Sequence, residues 1–379
     1  RDTPGEIVYI RDEDKGNYWT ITPLPIRKDG LYKVRHGQGY SVFQHSSNML
    51  QQSQTMFVSL HDPVKFYVIK LKNKDKASRR LSVTLYVEWV LGVSRMETDL
   101  FIVTEKDEQT GVLLARNPYN EEFGQYLAFI SVNEPNATMT GDRAEFIGRN
   151  RSLRNPNALE REGLSGSTGA GYDPCGALQV VIELKPGEER EIVFTMGQGE
   201  DIEKVRHLIQ KYHDIDEVHR ELQKVKDYWK AKLGVIQVST PDMSMNILLN
   251  SWLIYQTLSS RLKGRTGFYQ AGGAFGFRDQ LQDVMALAYS SPERMKQQIL
   301  INSEHQFTEG DVQHWWHPPR HGIRTRITDD LLFLPYVTAD YIRITGDWSI
   351  LDEETHYLKD EPLRDEEEDR YNIPGLSEY

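Results

Sequence analysis

Short runs of alternating apolar and polar residues fill the first half of the chain. In the clearest run, residues 81–91, Leu, Val, Leu, Val, Trp and Leu alternate with Ser, Thr, Tyr and Glu. Successive side chains of a strand point to opposite faces, so this period predicts a strand with one buried and one solvated face. The same pattern predicts strands at 6–10, 64–71, 126–132, 178–184 and 191–196.

Turn sequences such as Lys28-Asp29-Gly30 and Lys185-Pro186-Gly187 separate these strands. No helical pattern lies between them, which predicts an antiparallel β-sandwich over residues 1–199. Residues 150–171 are polar and rich in Gly and Ser, so we expect a long loop there. A functional loop and a surface excursion fit that composition equally.

From about residue 200 the apolar spacing changes to three and four residues. The positions that fit this period run from Val205 to Trp229 and stop before Gly234, which predicts an amphipathic helix or helix pair. We assign residues 200–240 to a helical linker. Further helices are predicted at 246–262, 279–289, 292–305 and 329–344, in a helical domain over residues 241–379.

Composition narrows the class of protein. Of the 379 residues 39% are hydrophobic, and no apolar run approaches the ~20 residues of a membrane-spanning helix. The net charge of −11 argues against nucleic acid or an anionic membrane as partner. The single cysteine, Cys175, excludes an internal disulfide and suits a reducing compartment, so we predict a cytoplasmic protein with a packed thiol. Composition leaves a homo-oligomer open.

The residues suited to catalysis concentrate in polar stretches of the helical domain. Arg278 and Asp279 interrupt an apolar sequence, where a charged pair is costly unless it has partners. One interpretation is a structural salt bridge. The other is a sugar site, in which Asp279 accepts hydrogen bonds from hydroxyl groups and Arg278 donates to them. Gln282 and Asp283 follow one turn later, and Asp283 shares a helix face with Asp279.

A second acidic pair, Asp329-Asp330, follows Thr328 and precedes an apolar run. One interpretation is a helix start, with Thr328 as N-cap and two carboxylates near the helix dipole. The other is a general acid at a helix N-terminus. A general acid must hold its proton near neutral pH, so Asp329 in that role needs burial or a neighbouring carboxylate such as Asp330.

Aromatic and basic residues lie between the two acidic pairs. Trp315 and Trp316 belong to the sequence HWWHPP, whose prolines exclude a regular helix, so we expect a loop. The tryptophans suit stacking on pyranose rings, and a hydrophobic plug is the alternative. The flanking histidines lack the partners of a structural zinc site, so no metal is expected. Arg324, with Arg320 and Arg326, suits phosphate or hydroxyl clusters, although a solvated loop fits equally.

Two long pieces of this region resemble a known family. YQAGGAFGFRDQLQD (269–283) and GIRTRITDDLLFLPY (322–336) are similar to sequences of glycoside hydrolase family 94, the inverting phosphorylases of β-linked glucosides. Within it, the chain most resembles the subgroup of 1,2-β-oligoglucan phosphorylases and the C-terminal region of cyclic β-1,2-glucan synthases. Weaker similarity covers nearly the whole chain.

The resemblance implies a β-sandwich, a helical linker and an (α/α)6 barrel, in that order. Twelve barrel helices need roughly 300 residues or more, whereas 139 residues follow Thr240 (379 − 240). We therefore expect an incomplete barrel in this chain and a longer protein that supplies the missing C-terminal half of the barrel. The chain alone is then expected to be inactive.

The resemblance also implies roles for individual residues. Asp329 matches the general acid, and Arg278 with Asp279 matches the pair that binds the glucosyl unit at subsite −1. Some members carry another arginine five residues before the matching one; Gly273 stands there in this chain, which fits the β-1,2 subgroup better. The family's phosphate-site elements would lie beyond Tyr379. The predicted substrate-binding residues are Arg278, Asp279, Gln282, Asp283, Trp315, Trp316, Arg324 and Asp330.

We therefore predict inverting phosphorolysis of a β-linked glucan, with β-1,2-oligoglucan as the substrate that the subgroup implies. Phosphate, an anionic nucleophile, needs no base carboxylate, unlike the water of an inverting hydrolase. The product is α-glucose 1-phosphate, and no cofactor is expected. The alternatives are a phosphorylase-like region of a cyclic β-1,2-glucan synthase, a non-catalytic carbohydrate-binding region and a plain hydrolase.

Overall fold

The computed structural model describes residues 5–92, 94–121, 123–264, 273–318 and 320–377. Residues 269–272 of the first family-like piece lie outside this range. The chain divides into two compact units, Arg1–Asp227 and Tyr228–Tyr379. Among the described residues, no helix is both long and apolar enough to cross a membrane.

Antiparallel strands build the first unit. They are β1 (Glu6–Asp12), β2 (Tyr18–Thr20), β3 (Tyr32–His36), β4 (Tyr40–Ser47), β5 (Leu50–Val58), β6 (Val64–Asn73), β7 (Arg79–Glu88), β8 (Val103–Lys106), β9 (Leu113–Arg116), β10 (Leu127–Val132), β11 (Thr138–Asp142), β12 (Pro174–Leu184) and β13 (Glu189–Gly199). One sheet has the order β11-β12-β7-β1-β2, and the other has the order β3-β4-β5-β6-β13-β10-β9-β8. Two short helices, α1 (Arg95–Thr98) and α2 (Arg143–Ile147), interrupt the strands.

The main hydrophobic core joins side chains of both sheets. Val83 and Leu85 of β7 lie in one cluster with Ile130 of β10 and Phe194 of β13. Every strand predicted from the alternating pattern overlaps a strand of the structure. The prediction of a β-sandwich is confirmed.

The prediction that the second face of residues 81–91 is solvated is wrong. Ser82, Thr84 and Tyr86 of β7 are all buried. The ring of Tyr86 stacks on Phe146 of α2, with 4.7 Å between centroids, and Gln179 of β12 donates a hydrogen bond to Thr84. A second hydrophobic cluster therefore covers the outer face of this sheet. The local pattern of residues 81–91 could not predict this, because Phe146 lies sixty residues further along the chain.

Residues 150–171 belong to that second cluster. They contain a 3₁₀ helix, Asn157–Glu160, and their Leu159 and Leu164 are buried among the cluster residues. The segment is irregular, as predicted, but it is anchored to the sheet rather than a free excursion. Cys175 is buried in the same cluster, and burial raises the pKa of its thiol.

Two helices follow the sandwich, α3 (Ile202–Tyr212) and α4 (Ile215–Leu233), and they match the predicted helix pair. Glu221 of α4 is buried and accepts hydrogen bonds from Ser59 Oγ at 2.7 Å and from the Leu60 amide at 3.3 Å. These bonds fix α4 to the loop that follows strand β5.

The second unit is mainly helical. Its α-helices are α5 (Met243–Ile247), α6 (Leu253–Gln256), α7 (Phe277–Met285), α8 (Pro292–Ser303) and α9 (Thr328–Thr345). The π-helical segments Leu248–Trp252 and Thr257–Lys263 extend α5 and α6 into one helical run, and Trp348–Asp352 forms a 3₁₀ helix. A helical domain after the sandwich is therefore confirmed, while the incomplete barrel stays a prediction.

The second unit also contains strands that the sequence did not predict. Strands β14 (Phe275–Gly276), β15 (Gln313–His317), β16 (His321–Thr325) and β18 (Asp369–Asn372) form an antiparallel sheet in that order, and β17 (Leu358–Lys359) pairs with β19 (Gly375–Leu376). The sequence HWWHPP is thus a strand up to His317, not a loop. Pro318 follows the strand directly, and proline cannot donate to a strand ladder.

We expect Leu159→Ala to destabilise the first unit by about 2–5 kcal/mol, because removal of the buried leucine side chain would leave a cavity. The measurement is chemical denaturation of the full-length protein, followed by circular dichroism. Leu100→Ala is the matched control: Leu100 is 81% exposed, so its loss should change stability by about 0.5 kcal/mol or less. Equal effects of the two changes would contradict the anchored segment.

Candidate functional site

The two charged pairs of the sequence meet at the N-termini of helices α7 and α9. Arg278 and Asp279 lie in the first turn of α7, and Asp329 and Asp330 lie in the first turn of α9. Helix α7 packs against both α9 and strand β15, and β15 contributes His314 to the same place. The fold thus gathers five ionisable side chains from three elements.

Arg278 joins the two helices. Its Nε lies 3.2 Å from Oδ2 of Asp329, and its guanidinium lies over the ring of Phe333, 5.1 Å from the centroid. The Arg278 and Asp329 side chains are 42% and 56% exposed. An ion pair this open contributes only about 0–1 kcal/mol to stability, so a ligand can replace it at little cost.

Asp330 has the opposite surroundings. It is 1% exposed, and its Oδ2 lies 2.7 Å from Nδ1 of His314. The hydrogen bond to Asp330 raises the pKa of His314, and the charges of Asp279 and Asp329 add to the rise. Asp330 is therefore a buried residue that contacts His314, whereas the sequence analysis predicted that it binds substrate directly.

The other candidates of α7 differ in exposure. Asp279 is exposed and lies close to Gly276, where an added Cβ would stand 3.1 Å from the Asp279 Cβ. Gln282 is also exposed. Asp283 pairs with Arg261 at 2.9 Å between Oδ2 and Nε, so it links α7 to the preceding helical run.

The predicted N-cap of α9 is wrong by one residue. Ile327 holds the cap position, with no side-chain cap hydrogen bond, and Thr328 is the first helical residue. Strand β16 ends at Thr325, so the chain stays extended through Ile327 before it turns. The carboxylates of Asp329 and Asp330 supply the favourable interaction with the helix dipole instead.

The two adjacent tryptophans have different surroundings, because neighbouring residues of a strand face opposite sides. Trp316 is 2% exposed and stacks on His305, with 3.7 Å between ring centroids. Trp315 is partly exposed and tilts against Tyr371 at 5.4 Å. Trp316 is therefore the hydrophobic plug of the two interpretations, and Trp315 has the ring that a sugar could reach.

Arg324 is part of the structural support of the site. Its side chain is 1% exposed and donates hydrogen bonds to both oxygens of Asp311, at 2.6 Å each, and to Glu309 at 3.0 Å. Two backbone carbonyl groups accept from its remaining nitrogen. These five bonds match the five N–H donors of a guanidinium, so this structure leaves Arg324 no donor for a substrate.

His314 is the site residue that the sequence analysis missed. It was considered only as a zinc ligand, and no metal-binding group of three or more His, Cys, Asp or Glu occurs in the described ranges. A signal existed, because the histidine lies between the two acidic pairs in a stretch rich in functional groups. The contact with Asp330 depends on the packing of β15 and α9 against α7, which sequence spacing does not give.

The order of a β-sandwich followed by a helical unit is shared with a solved structure of another protein. A solved bacterial glucoamylase in complex with acarbose superposes with a TM-score of 0.58 at 10% identity, covering 93% of this chain and 53% of that chain. Residues 1–215 match the family model of the glycosyl hydrolase 94 supersandwich domain, and residues 228–366 match that of the glycosyl hydrolase 94 superfamily catalytic domain. The chain belongs to the glycosyl hydrolase 94 family.

Curated relatives agree with this assignment. Cyclic beta-(1,2)-glucan synthase NdvB of Rhizobium meliloti (strain 1021) is 36% identical over 378 residues, which are 99% of this chain and 13% of the synthase. N,N'-diacetylchitobiose phosphorylase of Vibrio proteolyticus is 26% identical over 400 aligned residues, which cover 94% of this chain and 49% of the phosphorylase. The chain thus spans about half the length of that phosphorylase and a small part of the synthase.

We expect Arg324→Ala to destabilise the second unit by about 1.5–3 kcal/mol, because it removes the charged hydrogen bonds of a buried guanidinium to two partly exposed carboxylates. Arg326→Ala is the matched control two residues away. Arg326 is exposed and donates only to backbone carbonyl groups, so its loss should cost about 1 kcal/mol or less. Thermal unfolding of the full-length protein measures both, and a small effect of Arg324→Ala would contradict its supporting role.

Proposed function

We propose that this chain contributes the general acid and part of the sugar site of a phosphorylase that splits β-linked glucans with inversion. The observation that supports the proposal is the meeting of Asp329, Arg278 and Asp279 at one place in a glycosyl hydrolase 94 catalytic region. One carboxylate is available to act on a leaving group, and a donor and an acceptor are available for hydroxyl groups.

In the proposed reaction a phosphate oxygen attacks the anomeric carbon on the face opposite the leaving oxygen. The bond from that carbon to the glycosidic oxygen breaks, and Asp329 gives its proton to the departing oxygen. The β-linked glucosyl unit is released as α-glucose 1-phosphate, and the shortened glucan leaves. In the reverse direction the same carboxylate takes the proton from the acceptor hydroxyl.

The rest of the sugar site follows from exposure. Asp279 accepts from sugar hydroxyl groups and Arg278 donates to them, while Gln282 lies one turn further along the same exposed part of α7. Trp315 offers a partly exposed ring for stacking. We leave Trp316, Asp283 and Arg324 out of the proposed contacts, because each is engaged within the fold.

We propose a β-1,2-linked oligoglucan as substrate, inorganic phosphate as co-substrate and no further cofactor. A second candidate is the phosphorylase-like region of a cyclic β-1,2-glucan synthase, favoured by the 36% identity with the synthase across 99% of this chain. The two candidates share the site and the reaction. A cytoplasmic location also stays a prediction.

The test is to incubate the full-length protein with β-1,2-gluco-oligosaccharides, with and without phosphate, and to follow the products by NMR. The proposal requires α-glucose 1-phosphate that forms only when phosphate is present. Free glucose without phosphate dependence would indicate a hydrolase. Binding of the oligosaccharide without any product would indicate a non-catalytic carbohydrate-binding region.

Asp329→Asn should lower turnover of the full-length protein by about 10²–10⁴-fold, the usual contribution of a general acid. Folding should survive, because Asp329 is half exposed and its ion pair adds little to stability. The reverse reaction should fall in parallel. A substrate with an activated leaving group needs less protonation and should lose less activity.

Asp330→Asn is the control for this prediction. It should lower turnover less, because Asp330 is buried and contacts His314, whereas Asp329 is exposed to solvent. If Asp330→Asn abolishes turnover while Asp329→Asn stays nearly active, the acid is the second aspartate. If neither change affects turnover, the pair is only a helix start.

Asp279→Ala should weaken substrate binding and turnover by more than about tenfold, because sugar hydroxyl groups lose their acceptor. Its melting temperature should stay close to that of the wild type, since the side chain is exposed. Steady-state kinetics and thermal unfolding are measured on the same preparation. Unchanged kinetics with a lowered melting temperature would instead identify Asp279 as structural.

A further inference from the structure

The contact between His314 and Asp330 places a histidine at the proposed sugar site with one nitrogen already occupied. Asp330 is 1% exposed, while the His314 side chain is 39% exposed. The other carboxylate oxygen, Oδ1 of Asp330, is buried and has no hydrogen-bond partner among the described residues. A buried carboxylate with one oxygen lacking a hydrogen bond lowers the stability of the fold. An apolar residue at this position would avoid that cost.

The geometry fixes the orientation of the imidazole. Asp330 binds Nδ1, and the N–H directions of the two ring nitrogens diverge widely, so Nε2 points away from the buried carboxylate. A carboxylate that accepts a hydrogen bond from Nδ1 also keeps a proton on Nδ1. The imidazole is then either the neutral tautomer protonated at Nδ1 or the charged form protonated at both nitrogens. Asp330 therefore holds His314 through Nδ1, with Nε2 directed away from the buried carboxylate.

The charges around His314 define what Nε2 can bind. Helix α7 brings Arg278 and Asp279, and helix α9 brings Asp329 and Asp330. Strand β16 brings Arg324, which is turned to its own carboxylate partners. The hydrogen bond to Asp330 and the charges of Asp279 and Asp329 favour the protonated, donating form of the imidazole. A donor flanked by acceptors is suited to hydroxyl groups, which donate and accept at once.

We propose that His314 is a substrate-binding residue, whose Nε2 donates a hydrogen bond to an oxygen of the bound glucan, and that Asp330 is the positioning residue that holds it. The proposal rests on the proposed function for the identity of the ligand. It gives Asp330 a role through His314 rather than a direct contact with the sugar.

Two substitutions separate ligand contact from structural support. The amide nitrogen of asparagine takes the place of Nδ1, so His314→Asn keeps the bond to Asp330 and loses the reach of Nε2. The longer side chain of glutamine takes the place of Nε2, so His314→Gln keeps the donor toward the ligand and loses the bond to Asp330. Both variants are compared with the wild-type full-length protein.

The main measurement is calorimetric titration with a β-1,2-gluco-oligosaccharide in the absence of phosphate, with thermal unfolding beside it. We expect His314→Asn to weaken binding by about tenfold or more, with little change in melting temperature. We expect His314→Gln to keep most of the affinity and to melt at a lower temperature. If His314→Asn binds as the wild type does, or if both affinities simply follow the melting temperatures, His314 only ties β15 to α9 and the proposal is wrong.

The release of glucose 1-phosphate distinguishes this proposal from the proposed function. A wild-type protein that binds the oligosaccharide but releases no glucose 1-phosphate overturns the phosphorylase, while the binding comparison still decides the role of His314. A wild-type protein that releases the product, with a His314→Asn variant of equal affinity and KM, overturns the role of His314 alone. A wild-type protein that binds no oligosaccharide overturns both.

The dependence of stability on pH gives a readout that does not involve the ligand. The pKa of His314 is raised above its ordinary value of 6.5 by the bond to Asp330. The bond therefore contributes its full stability below about pH 6.5 and loses it as the pH rises through the raised pKa of the folded state. His314→Asn cannot titrate, so its melting temperature should lack this fall.

Discussion

The candidate site depends on the hydrogen bonds that the buried guanidinium of Arg324 makes. A buried charge costs several kcal/mol unless partners compensate it, and here two carboxylates and two carbonyl groups do so. Its partners come from residues 309–311 and 360–361, and the ring of Phe307 lies 3.9 Å away. One side chain of strand β16 thus contacts two other segments, 307–311 and 360–361, and helix α9 with Asp329 begins only a few residues later.

The site that this support carries contains more negative than positive charge. The charges of Asp279, Asp329 and Asp330 all act on His314, while Arg278 pairs with Asp329. All three carboxylates lie in first turns of helices, where the helix dipole favours an anion by about 0.3–1 kcal/mol each. The meeting of two helix N-termini therefore makes tolerable a cluster that would otherwise repel itself.

The sequence predicted what depends on local pattern and missed what depends on distant packing. Alternation located six of the thirteen strands that the structure describes in the sandwich, and the helical period located α3, α4 and the helices of the second unit. It could not show that Phe146 and Leu159 cover the outer face of β7, because they come from other parts of the chain. The strands of the second unit are short and follow no clean alternation, so the different surroundings of Trp315 and Trp316 could not be predicted.

The exposure of Asp329 has a consequence for the proposed chemistry. The sequence argument asked for burial or a neighbouring carboxylate to keep a proton on the acid, and Asp329 is 56% exposed and paired with Arg278. A general acid in this position therefore depends on the substrate to change its surroundings. In the proposed reaction, a bound glucan would displace water from Asp329, and its hydroxyl groups would compete for the N–H groups of Arg278. Binding and activation of the acid are then one event, so losing Arg278 or Asp279 should affect turnover as well as affinity.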